Sequence, residues 1–197
     1  AFYAEDLPGG DNYTLVGIAL GAYGLTQAIL QIPFGWLSDQ IGRKPVIYLG
    51  LMLFVVGSFI AAIAIDIYWV ILGRIIQGAG AISAAVMALA ADLTREEHRT
   101  KAMATIGMTI GTVFALSLVA APILNQWIGV PGIFAMTGIL ALLAMLVVRK
   151  IIPDPKISRF HSDTEASPAS FAEVLRNGQL LRLNYGIFAL HATLMAL

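Results

Sequence analysis

The chain has 197 residues, 58% hydrophobic and 12% charged, with no net charge, no cysteine and a mean hydropathy of +0.82. Soluble domains run at about 45–50% apolar and 25% charged, so the composition excludes an ordinary soluble enzyme or nucleic-acid-binding module and predicts an all-α, multispanning membrane protein. Without thiols there is no disulfide and no thiolate metal site.

Residues 1–11 are short and acidic, with Glu5, Asp6, Asp11 and a turn at Pro8-Gly9-Gly10. Ala1-Phe2-Tyr3 reads as the last turn of an earlier span, and the chain as an excerpt cut within spans at both ends. Residues 14–37 form the first complete apolar stretch, long enough to cross roughly 30 Å of hydrocarbon. Gly17 with Gly21 and Gly24 with Ala28 are small-xxx-small pairs that favour close helix approach. Tyr23, Gln27 and Gln31 recur every four residues and share one face. That face is expected to look into protein, as helix–helix hydrogen bonds, or into a wet cavity; both readings stay open.

Gly35 to Pro45 form a polar turn between two apolar runs. Asp39, Arg43 and Lys44 are too costly for hydrocarbon and hold the turn at a water interface, on the cytoplasmic side by its paired basic residues. Ser38 or Asp39 is placed to cap backbone groups where the span ends. Gly42 permits an unusual backbone conformation, and Pro45 suits the first turn of the next helix.

A span over 45–65 carries almost no polar side chain, has Gly50 and Gly57 on one face, and is expected to support the bundle while facing lipid for much of its length. Asp66 to Tyr68 make a short exterior turn. The span 69–91 follows, holding Arg74, the one Lys or Arg of the chain placed inside a span. An arginine at mid-bilayer costs about 2.5 kcal/mol or more, so it needs a partner, a wet cavity or a snorkelling path to the surface. Gln77 lies three residues on, from the same face, and Gly78 and Gly80 allow close packing beside it.

Asp92 to Lys101 form the next cytoplasmic turn, with capping-box spacing at Thr94-Arg95-Glu96-Glu97. In the span 102–124, Gly107, Gly111 and Ala115 recur every four residues and predict a tightly packed face, while Pro122 lies near its end. A loop over 125–130 precedes a span over 131–148, closed by Arg149-Lys150. The transmembrane bundle is thus residues 1–152. Residues 153–183 read as a cytoplasmic linker with a short amphipathic helix that Asn177-Gly178 can end, and 184–197 as the start of a further span containing His191.

Eleven of the twelve basic residues fall on one side of this arrangement, Arg74 being the twelfth, while Glu5, Asp6, Asp11 and Asp66 fall on the other. Positive-inside reasoning puts 38–44, 92–101 and 149–183 in the cytoplasm. His98, His161 and His191 show no zinc spacing, and no Gly-rich loop joins a strand to a helix. No catalytic residue, metal site, cofactor or nucleic-acid partner is expected.

The run Gly35-x-x-x-Asp39-Gln40-x-Gly42-Arg43-Lys44 resembles the loop between helices 2 and 3 of major facilitator superfamily transporters, with Gln40 in place of the usual basic residue. Arg74-x-x-Gln77-Gly78 resembles that family's fourth-helix motif, above all in its drug–proton antiporters. Ala121-Pro122 falls where the antiporters carry Gly-Pro with a paired glycine, which Leu124-Asn125-Gln126 does not supply. Two longer phrases, Gly24 to Ala28 with Gln31 to Gly35 and Asp92 to Glu96, narrow the likeness to bacterial inner-membrane members.

The resemblance implies the first six-helix half of a twelve-helix protein, with the C-terminal half absent from this chain. It implies alternating access for a small molecule within a lipid bilayer, coupled to protons, and efflux as the favoured direction. A nutrient uniporter or symporter, or a non-transporting membrane sensor, are the alternatives. Implied pathway residues are Tyr23, Gln27, Gln31, Arg74 and Gln77, from helices over 14–37, 69–91 and 102–124, with Arg74 in proton coupling. Gly35, Asp39, Gly42, Arg43, Lys44 and Asp92 would form an intracellular latch, with Asp39, Arg43 and Asp92 as its charged cluster. The complete spans hold no carboxylate to carry a proton.

Overall fold

The computed structural model describes residues 7–80, 82–153 and 177–196, and every regular element among them is helical. Residues 7–153 belong to one compact unit and 177–196 to a second. In chain order the first unit holds α1 (Tyr13–Ile41), α2 (Arg43–Ala62), α3 (Ile67–Ala79), α4 (Ser83–Leu93), a 3-10 turn (Glu96–His98) and α5 (Arg99–Lys150). The second holds α6 (Gly178–Ala196). Tyr13–Ile41, Arg43–Ala62, Ile67–Leu93 and Glu96–Lys150 are each long and apolar enough to cross a membrane.

Polar side chains start two of the first unit's helices, α1 and α3. The Asn12 carboxamide oxygen accepts from the Thr14 N–H at 2.9 Å, and the Asp66 carboxylate from the Trp69 N–H at 3.0 Å. Asp66 is therefore a helix cap, and Tyr68, expected in a turn, is already helical.

α1 does not stop at Leu37 but runs through Pro33 to Ile41. Ser38 tolerates the extra turn because its hydroxyl donates to the Gly35 carbonyl at 2.7 Å. The expected loop shrinks to one residue, Gly42, at φ 99° and ψ 155°, a region open in practice only to glycine. Pro45 then falls in the first turn of α2.

α2 departs from its expected lipid-facing role. It is the most buried of the described spans, with Val46, Ile47, Gly50, Leu51, Val55, Gly57, Ser58 and Ala61 all enclosed. Its small residues explain this. A Cβ on Gly57 would lie 2.5 Å from the Gly73 carbonyl oxygen, and one on Gly73 would lie 2.7 Å from the Gly57 carbonyl oxygen. Gly50 and Gly80 make a second such crossing, where a Cβ on Gly80 would meet the Gly50 oxygen at 2.4 Å. Backbones this close gain dispersion contact that larger side chains would block. On the other flank Gly138 of α5 packs over Ser58 and Phe59. The main core then joins α2 to Ala85 and Leu89 of α4 and Ala141 and Val148 of α5.

The span containing Arg74 is not one helix. α3 ends at Ala79 and α4 begins at Ser83, with the Ile82 N–H donating to the Gly80 carbonyl at 2.8 Å between them. At the far end the expected capping box is absent. Thr94 ends α4 instead, its hydroxyl donating to the Ala90 carbonyl at 2.6 Å.

The loop expected over 125–130 is also absent. α5 is interrupted at Gly129 alone, at φ 65° and ψ 176°. A straight helix of 52 residues would measure about 80 Å, more than twice a bilayer core, so the break divides α5 into two spans. Residues 130–150 pack on α2, whereas no residue of 99–128 is buried. Gly107 and Gly111 meet nothing within 4 Å, so the packing expected of that stripe is not made by any described residue. The same holds for Gly17, Gly21 and Gly24 on α1. Pro122 lies inside the exposed limb of α5.

In the second unit Asn177 begins a helix rather than ending one. Its side-chain oxygen accepts from the N–H groups of Gln179 at 3.1 Å and Leu180 at 3.4 Å. The amphipathic helix expected before it lies outside the described residues, and so does the side chain of His191.

Candidate functional site

Two polar constellations stand in this apolar unit. The first gathers at the α1–α2 turn. Because Gly42 is the whole connection, Arg43 is the first residue of α2 and faces back along α1. Its Nη1 donates to the Ser38 hydroxyl at 2.8 Å and pairs with the Asp39 carboxylate, and its Nε donates to Asp92 Oδ2 at 3.2 Å. The Arg43 side chain is 11% exposed and that of Asp92 6%, against 37% for Asp39. The Arg43–Asp92 bond is thus the enclosed one, where a charge pair and its hydrogen bond are least diluted by water. Asp92 sits at the C-terminal end of α4, against the negative end of the helix dipole, and Arg43 offsets that repulsion.

The neighbouring Lys44 turns elsewhere. Its Nζ donates to the Ile152 carbonyl at 2.6 Å, just past the end of α5. Gly35 lies against Ala84 of α4, where an added Cβ would be 3.6 Å from the alanine methyl. Residues 35–44 therefore tie together the ends of α1, α2, α4 and α5. All six expected latch residues meet or flank this point. Ser38, read from the sequence only as a cap, is fully buried and hydrogen-bonded at its centre. The Lys44–Ile152 contact had no sequence signal, because a backbone acceptor carries none.

The second constellation lies within the spans. The Arg74 guanidinium sits 4.7 Å from the centre of the Tyr23 ring and donates to Gln77 Oε1 at 3.2 Å. Gln77 Nε2 in turn donates to the Ser58 hydroxyl at 2.7 Å, and Ser58 donates to the Phe54 carbonyl at 2.7 Å. This chain crosses from α1 through α3 to α2. Gln77 fits there because Gly57 has no side chain; a Cβ would lie 2.9 Å from Gln77 Cγ.

Beside this chain is a cavity of about 400 Å³, within the usual range for small-molecule sites. Tyr23, Gln27, Ser83 and Thr137 supply its polar groups, and Leu51, Phe54 and Leu140 are among its apolar ones. Gln27 Nε2 reaches the Ser83 hydroxyl at 3.4 Å. Gly80 and Ile82, at the interruption between α3 and α4, also line it, which is where irregular backbone is tolerated at membrane depth.

Of the five pathway residues, the structure brings Tyr23 and Gln27 to this cavity. Arg74 stands behind Tyr23. Gln77 is buried in the helix interface, and Gln31 is not among the lining residues. The contributing elements also differ from expectation: α2 and residues 137–144 of α5 form walls, and the exposed limb 99–128 does not. Ser83 and Thr137 escaped notice because an isolated hydroxyl in an apolar helix more often bonds its own backbone, as Thr137 does to Phe134 at 2.8 Å.

Comparison with known proteins agrees with this architecture. Residues 10–197 match the family model described as Major Facilitator Superfamily. The chain is 48% identical to the inner membrane transport protein YajR of Escherichia coli (strain K12), over 95% of this chain and 41% of that protein. It is 38% identical to an uncharacterized transporter of Buchnera aphidicola subsp. Acyrthosiphon pisum, over 98% of this chain and 50% of the relative. A transporter of Buchnera aphidicola subsp. Schizaphis graminum, also uncharacterized, is 38% identical over 96% of this chain and 48% of its own. The chain thus spans about half the length of these relatives.

Proposed function

The chain belongs to the major facilitator superfamily, and on that premise we propose that it is the N-terminal half of a proton-coupled exporter working by alternating access in a bacterial inner membrane. Membership makes it a multi-pass membrane protein of a transporter family. The finer reading is supported by one observation above others. An intramembrane arginine, Arg74, is held by Tyr23, and Tyr23 lines a cavity of small-molecule size. A charge inside a span is costly even with partners such as Gln77 and the Tyr23 ring, and intramembrane ionisable groups characteristically mark a substrate or ion pathway.

In this reading substrate enters the space bounded by Tyr23, Gln27 and Ser83, which a second half would close from the other side. The Arg74 charge biases the protonation of whatever carboxylate the complete protein places near it. The Arg43–Asp92 pair is the cytoplasmic latch, with the basic ends of the helices inside. It holds α2 against α4 in the outward-facing state and parts when the cavity opens inward.

The test is flux through proteoliposomes of the full-length protein, with and without a pH gradient. Coupled efflux predicts gradient-dependent flux that Arg74→Gln abolishes and Arg74→Lys partly retains. Flux indifferent to the gradient removes the coupling. One observation favours a second reading, a nutrient uniporter or symporter: among the described residues the carboxylates Asp11, Asp39, Asp66, Asp92, Glu96 and Glu97 all lie outside the helices or in their terminal turns, and none in the interior of a span. Uptake down a substrate gradient without proton movement would select it. No flux of any compound would select a sensor.

A further inference from the structure

A groove separate from the cavity above lies between α2 and the last turns of α5. It encloses about 500 Å³ and is lined by Tyr48, Leu142, Met145, Leu146 and Arg149. At 100° per residue, Leu142, Leu146 and Arg149 point away from the face that carries Leu140, Ala141 and Ala144. The α2–α5 pair therefore presents one concave surface to the cavity and another to its outer side. The outer groove's apolar walls are open, with Leu142 41% and Leu146 52% exposed.

Its chemistry is graded along the helix axes. Arg149 marks the polar end, one residue before α5 terminates, and Lys44 marks the same level on α2 by its bond to the Ile152 carbonyl. Tyr48 is one turn deeper, four residues after Lys44. Leu142 and Leu146 carry the groove into the hydrocarbon. Arg149 is exposed, and neither ion pair of the described residues uses it. A cation at the mouth of an apolar slot, beside a phenol, complements a molecule with an anionic head and a hydrocarbon tail. Basic pockets between spans at the membrane surface are suited to such headgroups.

We propose that this groove is a binding site for an anionic phospholipid. The phosphodiester sits against the Arg149 guanidinium and the Tyr48 hydroxyl, and one acyl chain lies along Leu142, Met145 and Leu146. The bound lipid covers apolar surface that the bundle leaves open and bridges α2 to α5 beside the Lys44–Ile152 contact.

Native mass spectrometry of the full-length protein in detergent tests this, with titrated phosphatidylglycerol compared against phosphatidylcholine of the same acyl chains. The expected result is preferential retention of phosphatidylglycerol, with apparent affinity falling about fivefold in Arg149→Gln, the factor for one basic residue at the surface. Arg149→Lys should recover most of it. Leu146→Trp, which fills the slot and leaves the charge, should also weaken retention. Lys101→Gln makes the same charge change away from the groove and should have little effect. Equal retention of both lipids, or equal losses in Arg149→Gln and Lys101→Gln, would overturn the proposal in favour of diffuse attraction. Displacement by glycerol phosphate as effective as by the lipid would replace it with a phosphate site indifferent to the acyl chain. No retention of phosphatidylglycerol at all would overturn the proposal outright.

Discussion

Arg43 Nε lies 3.2 Å from Asp92 Oδ2, although 49 positions separate the two residues, because the first residue of α2 meets the last turn of α4. Removing one member of an enclosed ion pair strands the other charge and costs up to about 3–5 kcal/mol. The slight exposure of both side chains places the expected loss toward the lower end. Arg43→Asp and Asp92→Arg should each lower the melting temperature and the flux of the full-length protein. The exchange carrying both should restore a large part of each. Failure of the exchange to recover either would refute the pairing.

Asp39 binds the same guanidinium but is more than a third exposed, so water screens its share. Asp39→Asn should therefore destabilise the protein measurably less than Asp92→Asn. Thermal unfolding of the two variants side by side decides it.

The turn itself depends on Gly42. With φ at 99° and ψ at 155°, a side chain there costs about 1–3 kcal/mol. Gly42→Ala should destabilise by that order and loosen the Arg43 contacts. Cross-linking between cysteines introduced at exposed Gln40 and Leu93 reads the second effect as a broadened set of reachable spacings.

Gly57 is expected to be harder to replace than Gly50, its neighbour two turns back on α2. A Cβ there would lie 2.5 Å from both the Gln77 nitrogen and the Gly73 oxygen, and backbone atoms cannot rotate away. Overpacking of this kind costs about 1–3 kcal/mol. Gly50→Ala clashes hardest with an Ile82 methyl, which is part of a side chain, and should be milder. Chemical denaturation in micelles should rank Gly57→Ala below Gly50→Ala in stability; the reverse order would contradict the packing described.

Gln77 is 2% exposed and its amide is spent on Ser58 and Arg74. Gln77→Leu keeps the volume and removes both bonds, each worth about 1 kcal/mol net, more where a charge takes part. Stability should fall modestly, while flux falls further because Arg74 loses a partner. Unchanged flux with lowered stability would make Gln77 purely structural.

Much of this was legible in the residues. Long apolar runs punctuated by Asp, Arg and Lys mark membrane spans in any context, because hydrocarbon cannot solvate either charge or bare backbone. The spacing of Gly35, Asp39, Gly42, Arg43 and Lys44 located the first polar cluster, and Arg74 the second. The loops were harder to read. Residues 38–41 and 125–128 look like turns by composition yet remain helical, since Ser38 satisfies its hydroxyl within the helix and Gly129 alone breaks the chain.

The amino-acid sequence by itself determined that the chain is a multi-pass membrane protein and which polar groups are too expensive to leave unpaired, because both follow from the chemistry of each residue against lipid. Only the tertiary structure decided that α2 is central, that Gln77 turns to Ser58 and away from the cavity, and that Lys44 holds the end of α5. Those outcomes depend on which backbones can approach closely, and that is set by pairs of small residues from different helices, such as Gly57 and Gly73.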